Sequence, residues 1–111
     1  TVNILTMQDI GGMVAKEDDR YVVKDNLFGN NLVISSTRLH ARKQTSGHSH
    51  DGQEEVYFFV EGTGIMELDK TRFTVKSGDV VPIEDGVFHK VYNDSDDDLY
   101  FVCVFDGKRK H

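Results

Sequence analysis

Two histidines and a glutamate that could bind a metal stand close together in the stretch SGHSHDGQEEVYFFVEGTG, residues 46–64. Side chains alternate across an extended strand, so His48 and His50 point to the same side with one residue between them. Glu55 opens the β-rich run that follows. A His-x-His pair beside a carboxylate offers nitrogen and oxygen ligands to one side of a metal ion, although solvated turns contain the same pair.

A second polar stretch, GDVVPIEDGVFHKVYN at residues 78–93, contains a further histidine 39 residues after His50. Taken together, the two stretches resemble the two motifs of the cupin superfamily. The positions that match the first motif are His48, His50, Glu55 and Gly62, and those that match the second are Gly78, Gly86, His89 and Asn93. The spacer between Gly62 and Gly78 has the short length found in small single-domain members.

Two positions depart from the family pattern. The opening glycine of the first motif would fall at Arg42, and the proline of the second would fall at Glu84, whereas this chain has Pro82. Both positions shape turns and neither binds metal, so the ligand set is intact.

The resemblance implies an all-β fold, an antiparallel jelly-roll β-barrel, that holds one divalent transition metal per chain. By this likeness the ligands are His48, His50, Glu55 and His89, and the ion is Mn, Fe, Ni, Co, Cu or Zn. These ligand types do not separate the candidate ions. A single carboxylate leaves the ion with net positive charge, and four protein ligands at an octahedral ion leave two positions open for a small-molecule substrate.

The hydrophobic pattern agrees with this fold, because helical periodicity is poor and short β-rich runs recur between Gly, Asn and Asp residues. We expect residues 1–19 to form an N-terminal arm or edge strand and residues 20–111 a single barrel. The predicted strands are 20–24, 31–42, 55–60, 64–69, 72–76, 79–83, 87–93 and 98–105.

Strand alternation also nominates substrate-pocket residues. Tyr57 and Phe59 share the face of Glu55 and are expected to form one wall. The last strand contributes one of two alternating sets, either Phe101, Cys103 and Phe105 or Tyr100, Val102 and Val104. Arg38 is either an inward group that holds a substrate carboxylate or phosphate, or part of an outward charged row. His40 is a candidate acid or base, and Asn93 is expected to fix a turn.

The runs EVYFFV and LYFVCVF are apolar on both faces, whereas a sheet with one wet face should alternate. Both faces must therefore be covered. In a chain with few helices a second subunit is the expected cover, which predicts a homodimer.

Composition excludes several classes of partner. The formal net charge is −6 at pH 7, which argues against nucleic acid. The short basic run KRK, residues 108–110, reads as a frayed tail. Cys103 is the only cysteine, which indicates a reducing, cytoplasmic location. No signal peptide or membrane-length apolar run is seen, so no membrane association is expected.

The cupin resemblance leaves the reaction open, because one fold supports many functions. The leading hypothesis is a metal-dependent enzyme of isomerase, epimerase or lyase type that acts on a carbohydrate or another oxygen-rich small molecule. An iron-dependent dioxygenase is the first alternative. A non-catalytic small-molecule binding or sensing module is the second.

Overall fold

The computed structural model describes residues 4–107 and residue 109. In that part of the chain nine β-strands form and no α-helix does, so no helix there is long and apolar enough to cross a membrane. The strands are β1 (Met13–Glu17), β2 (Tyr21–Phe28), β3 (Leu32–Leu39), β4 (Glu55–Glu61), β5 (Thr63–Leu68), β6 (Thr71–Lys76), β7 (Val80–Ile83), β8 (His89–Tyr92) and β9 (Leu99–Asp106). Strands β2 to β9 coincide with the eight predicted runs and differ mainly at the ends of β2 and β3.

All strand pairs are antiparallel and form two sheets. One has the order β1-β2-β3-β9-β4-β7 and the other the order β6-β5-β8. Isolated bridges from Gln44 to Tyr92 and from His48 to His89 lengthen the second sheet along the edge of β8. Residues of both sheets meet in one apolar core. This arrangement confirms the predicted all-β jelly-roll barrel.

The core lies between the sheets because alternate side chains of each strand point inward. Its centre is aromatic: the ring of Phe101 lies 5.2 Å from that of Tyr57 and 5.4 Å from that of Phe59, measured between centroids. On β9 the inward set is Phe101, Cys103 and Phe105, and the outward set is Tyr100, Val102 and Val104. The structure thereby decides between the two faces that alternation alone left open.

The outer face of the six-stranded sheet is also apolar, and part of its cover comes from the same chain. Ile10 is buried there against Tyr100 and Val102, and Leu5 packs beside it. The segment that precedes β1 therefore does some of the covering that the sequence assigned to a second subunit. A groove lined by the outward side chains of Leu32, Val56, Pro82 and Val104, among others, has a volume of about 320 Å³.

Candidate metal centre

The two histidine motifs meet across a β-bridge. The backbone amide of His89 donates to the carbonyl oxygen of His48 at 2.9 Å, and the amide of His48 donates to that of His89 at 3.2 Å. His48 lies on the added edge of the second sheet, and His89 is the first residue of β8. The 41-residue separation in sequence thus becomes direct pairing.

Glu55 enters the same space from the other sheet, as the first residue of β4. Its Oε1 lies 3.4 Å from His50 Nε2 and 3.3 Å from His89 Nε2. One ligand atom from each of His48, His50 and His89 lies within 4.8 Å of the other two. The side chains of Glu55, His50 and His89 are 2%, 6% and 1% exposed, so the cluster is largely shielded from water.

Backbone carbonyl groups orient two of the imidazoles. His48 Nδ1 is 3.2 Å from the carbonyl oxygen of Ser46, and His89 Nδ1 is 3.0 Å from that of Val87. A carbonyl oxygen only accepts, so each Nδ1 carries a hydrogen and each neutral ring keeps its lone pair on Nε2. Burial, and then the nearby charge of His89, lowers the pKa of His48 from 6.5 to about 4. His48 is therefore neutral at physiological pH, the form in which imidazole binds metal.

The donor set fits a divalent transition metal. Imidazole nitrogens are borderline ligands and a carboxylate oxygen is a hard one, a mixture that suits such ions, and convergence of four donors from separate elements is what an enclosed site requires. Carbonyl contacts to the second ring nitrogens are the usual outer support of metal-binding histidines.

A cavity of about 50 Å³ opens beside the cluster. Its lining includes His48 and Glu55 together with three of the predicted pocket residues, Tyr57, Phe101 and Cys103. Phe59 and Phe105 also point inward and are buried, but they lie outside this lining.

The Tyr57 hydroxyl and the Cys103 thiol both belong to this wall. Burial raises the pKa of both groups well above their ordinary values. They are therefore uncharged at neutral pH, and neither the phenolate nor the thiolate is available as a base.

Arg38 and His40 lie on the outer face, away from the cavity, which corrects their placement as pocket residues. Thr37 and Leu39 point inward on β3, so alternation turns Arg38 outward. Arg38 stacks at 4.6 Å over the ring of Tyr100 and lies 3.7 Å from Asp98. His40 Nδ1 is 3.3 Å from the same carboxylate. Of the two alternatives for Arg38, the structure therefore shows the outward charged row.

Asn93 fixes a turn, as expected. Its Nδ2 donates to the carbonyl oxygens of Leu39, His40 and Asp97 at 2.8 to 3.1 Å, and its Oδ1 accepts from Ser95. A buried amide with this many backbone partners acts as a structural cross-link.

Two cations of the cavity lining, Lys16 and Arg109, were missed by sequence reasoning. Arg109 belongs to the run KRK that was read as a frayed tail, and this reading is wrong for Arg109 because its guanidinium pairs with Asp25 at 2.6 Å. Lys108 and Lys110 lie outside the described residues. Neither cation has a signal in local sequence, since each is brought to the cavity by packing between distant segments.

Of the two departures from the family motifs, the one at Arg42 keeps a backbone conformation that favours glycine. Arg42, which stands where the family has glycine, adopts a positive φ of 66°. This backbone costs an L-residue roughly 1 to 2 kcal/mol, and the Arg42 side chain is held outside by Asp96 at 2.8 Å. Gly47 precedes His48 because any Cβ there would overlap the ring of Phe88. Glycine lets that ring pack directly beneath the ligand strand.

Fold and site together define a member of the cupin family. The family model described as "Cupin domain" matches residues 36–105, so the chain belongs to that family. An uncharacterised protein of Methanocaldococcus jannaschii is 39% identical over 56 residues, which are 50% of this chain and 45% of that protein. The chain thus matches about half the length of that relative. The oxalate-binding protein of Thermotoga maritima is 24% identical over 94 residues, 85% of this chain and 78% of its own.

Solved structures show the same fold at low sequence identity. A predicted oxalate decarboxylase of Thermotoga maritima has a TM-score of 0.72 at 22% identity, covering 79% of this chain and 81% of that one. KdgF from a Halomonas species has a TM-score of 0.77 at 14% identity, covering 86% of this chain and 88% of that one. At these identities the likeness concerns the fold alone.

The metal-free protein is expected to lose stability as the pH falls from about 6.5 to 4. In the unfolded chain His48 titrates near its ordinary pKa of about 6.5, whereas in the folded chain its pKa is about 4. Between these values the unfolded state binds more protons, so the free energy of unfolding rises with pH. The expected change is about 1 to 2 kcal/mol once solvent screening is allowed for.

Urea unfolding of the metal-free chain at about pH 4.5 and about pH 7.5 measures this difference. His48→Gln should flatten the dependence, and the outer-face variant His40→Gln should keep it. An equal slope in wild type and His48→Gln would contradict the assignment.

Proposed function

We propose that this cupin holds one divalent transition metal through His48, His50, Glu55 and His89, and that it acts on a small oxygen-rich molecule chelated there. The observation that carries the proposal is the convergence of these four donors from three separate segments onto one buried point. When bound, such an ion polarises the oxygen atoms it coordinates and lowers the pKa of a coordinated water.

The chain's own residues supply orientation and exclusion of water. The carbonyl groups of Ser46 and Val87 aim two imidazoles, and Phe101 walls the cavity on the core side. Tyr57 and Cys103 stay protonated, so they offer hydrogen-bond donors at the cavity wall. A ligand seated here would be partly dehydrated, which strengthens its polar contacts.

The reaction we propose is of isomerase, epimerase or lyase type. Support for an oxygen-rich ligand comes from the relative named as an oxalate-binding protein. One observation favours non-catalytic binding as the second candidate. Among the described residues of the cavity lining, the titratable groups besides His48 and Glu55 are Lys16, Tyr21, Tyr57, Cys103 and Arg109, so no second carboxylate stands ready as a base.

Elemental analysis of the freshly purified chain, combined with an oxygen-uptake screen, tests the proposal. Manganese, zinc or nickel without oxygen uptake would support isomerase or lyase chemistry, and iron with uptake would select the dioxygenase alternative. A metal-loaded chain that binds small acids or sugars and returns them unchanged would support the binding module. A chain that takes up no divalent metal would overturn the proposal. A cytoplasmic location is proposed with it, on the single cysteine alone.

We also expect a homodimer that buries the outer-face groove around Leu32, Val56 and Val104. Apolar side chains make up more than half of the groove lining, and only part of the outer face is covered by the segment before β1. A stable interface there should bury more than about 1,000 Å² in total. Light scattering at micromolar concentration should give twice the chain mass of 12.6 kDa.

Matched variants locate the interface. Leu32 is 53% exposed on the outer face, and Leu27 is 57% exposed at the end of β2 with its side chain on the opposite face. Leu32→Asp should shift the protein toward monomer, and Leu27→Asp should not. A wild-type monomer would remove the prediction.

A further inference from the structure

Arg109 is built into the cavity by a specific arrangement of partners. Its Nε and Nη2 donate to the two carboxylate oxygens of Asp25, each at 2.6 Å, and Nη2 also donates to Ser35 Oγ at 2.8 Å. Asp25 and Ser35 are directly paired across β2 and β3. The bidentate geometry holds the guanidinium plane in one orientation, unlike the loose pairing of a surface salt bridge.

Arg109 lies in the cavity wall, and its pair with Asp25 is not fully buried. The side chains of Arg109 and Asp25 are 19% and 22% exposed, and Arg109 lines the cavity with His48 and Glu55. The guanidinium also makes a cation–π contact with Phe105, 5.2 Å from the ring centre, which helps to hold it in place. No hydrogen bond from Nη1 is formed to residues 4–107. One edge of the guanidinium is thus left for an added acceptor.

The net charge of the side chains around the cavity differs from the formal net charge of the whole chain, which is −6 at pH 7. Lys16 and Arg109 offset Asp25 and Glu55, so these four side chains are together close to neutral. A divalent ion at the histidine cluster would raise the local charge to about +2. An otherwise acidic protein would therefore present a small positive cavity, which a dianion would neutralise.

We propose that Arg109 binds the carboxylate of a small dianionic acid that is chelated at the metal, with Asp25 and Ser35 as positioning residues and Lys16 as a second cation. This inference rests on the proposed metal centre and narrows its ligand from oxygen-rich molecules in general to dicarboxylates. A neutral sugar gives these cations no counter-charge. The cavity volume of about 50 Å³ restricts the ligand to a small acid.

Calorimetric titration of the metal-loaded full chain tests the role of Arg109, with oxalate as the dianion and glycerol as the neutral probe. Arg109→Gln should weaken oxalate binding by about 10-fold or more, because a charge-assisted hydrogen bond from Nη1 and the attraction of the guanidinium charge are lost. Its metal affinity should be unchanged within about 3-fold, since Arg109 is not among the metal donors. Arg38→Gln is the matched control, because it removes the same charge from the outer face, and it should bind oxalate like wild type.

The variant Asp25→Asn distinguishes two possible roles of Asp25, its charge in the cavity and its hold on the Arg109 side chain. The variant makes the cavity more positive, so oxalate would bind more tightly if Asp25 acted through charge alone. If Asp25 holds Arg109 in place, oxalate binding should weaken despite the added positive charge. Thermal unfolding of each variant checks that the barrel is intact, and Asp25→Asn keeps the idea testable if Arg109→Gln folds poorly.

The outcomes distinguish this inference from the proposed function. A metal-loaded wild type that binds oxalate no better than glycerol would overturn the dianion assignment and leave the metal centre standing. Equal oxalate affinity in Arg109→Gln and Arg38→Gln would overturn the role of Arg109. Failure of the wild type to take up metal would refute the proposed function itself.

Discussion

Replacing His89 by alanine is expected to lower the affinity for the divalent metal by more than about 100-fold. His89 is the one proposed ligand from the second motif, and its Nε2 lies 3.3 Å from Glu55 Oε1. Loss of an outer-shell partner costs about 10- to 100-fold in metal affinity, so loss of a direct ligand should cost more. Metal content after dialysis, and competition with a chelator, measure the change.

His40→Ala is the control for this experiment, because His40 pairs with Asp98 on the outer face and lies away from the cluster. It should retain wild-type metal content. Circular dichroism should show the same strand content in both variants. A folded His89→Ala protein with wild-type affinity would show that the two motifs do not share a metal, and the proposed site would then be wrong.

Replacing Leu99 by alanine is expected to destabilise the barrel by about 2 to 5 kcal/mol, a large share of the roughly 5 to 15 kcal/mol that holds such a domain together. Leu99 is fully buried at the start of β9. Its Cδ2 lies 2.6 Å from the point where a Cβ on Gly64 would stand. Gly64 has no side chain that could fill the space left by the Leu99 side chain, so the substitution would leave a void in the core.

Urea unfolding of the two leucine variants provides the comparison. Leu27→Ala makes the same chemical change at a site that is 57% exposed, and it should cost less than about 0.5 kcal/mol. Equal midpoints for Leu99→Ala and Leu27→Ala would mean that the packing around β9 is looser than the structure shows.

Much of the fold could be predicted because side chains alternate between the two faces of a strand, and this two-residue period is visible in the sequence. Runs such as EVYFFV and RFTVK are bounded by Gly, Asn and Asp, and they became β4 and β6 with nearly the predicted ends. The histidines of the candidate centre were found for a related reason. Metal-type donors at set spacing on a strand are a local signal, and their resemblance to the cupin motifs supplied the distant partner.

Side-chain alternation defines the two faces of a strand, but it does not say which face points into the barrel. A period of two defines two faces for β9, and both are apolar, so burial of Phe101, Cys103 and Phe105 was undecided until the second sheet was in place. The same ambiguity applied to Arg38. Its outward position follows from the inward side chains of β3 and from Tyr100 on the neighbouring strand.

The sequence by itself determined that this chain forms an antiparallel barrel, and its resemblance to the cupin motifs nominated the four side chains that we propose as metal donors. Only the tertiary structure decided what surrounds those donors. Arg109 and Lys16 reach the cavity from the two ends of the described chain, and Asp25, far from both in sequence, pairs with Arg109. Such contacts give no repeating pattern in the sequence, because they form only when segments that are distant in sequence pack together.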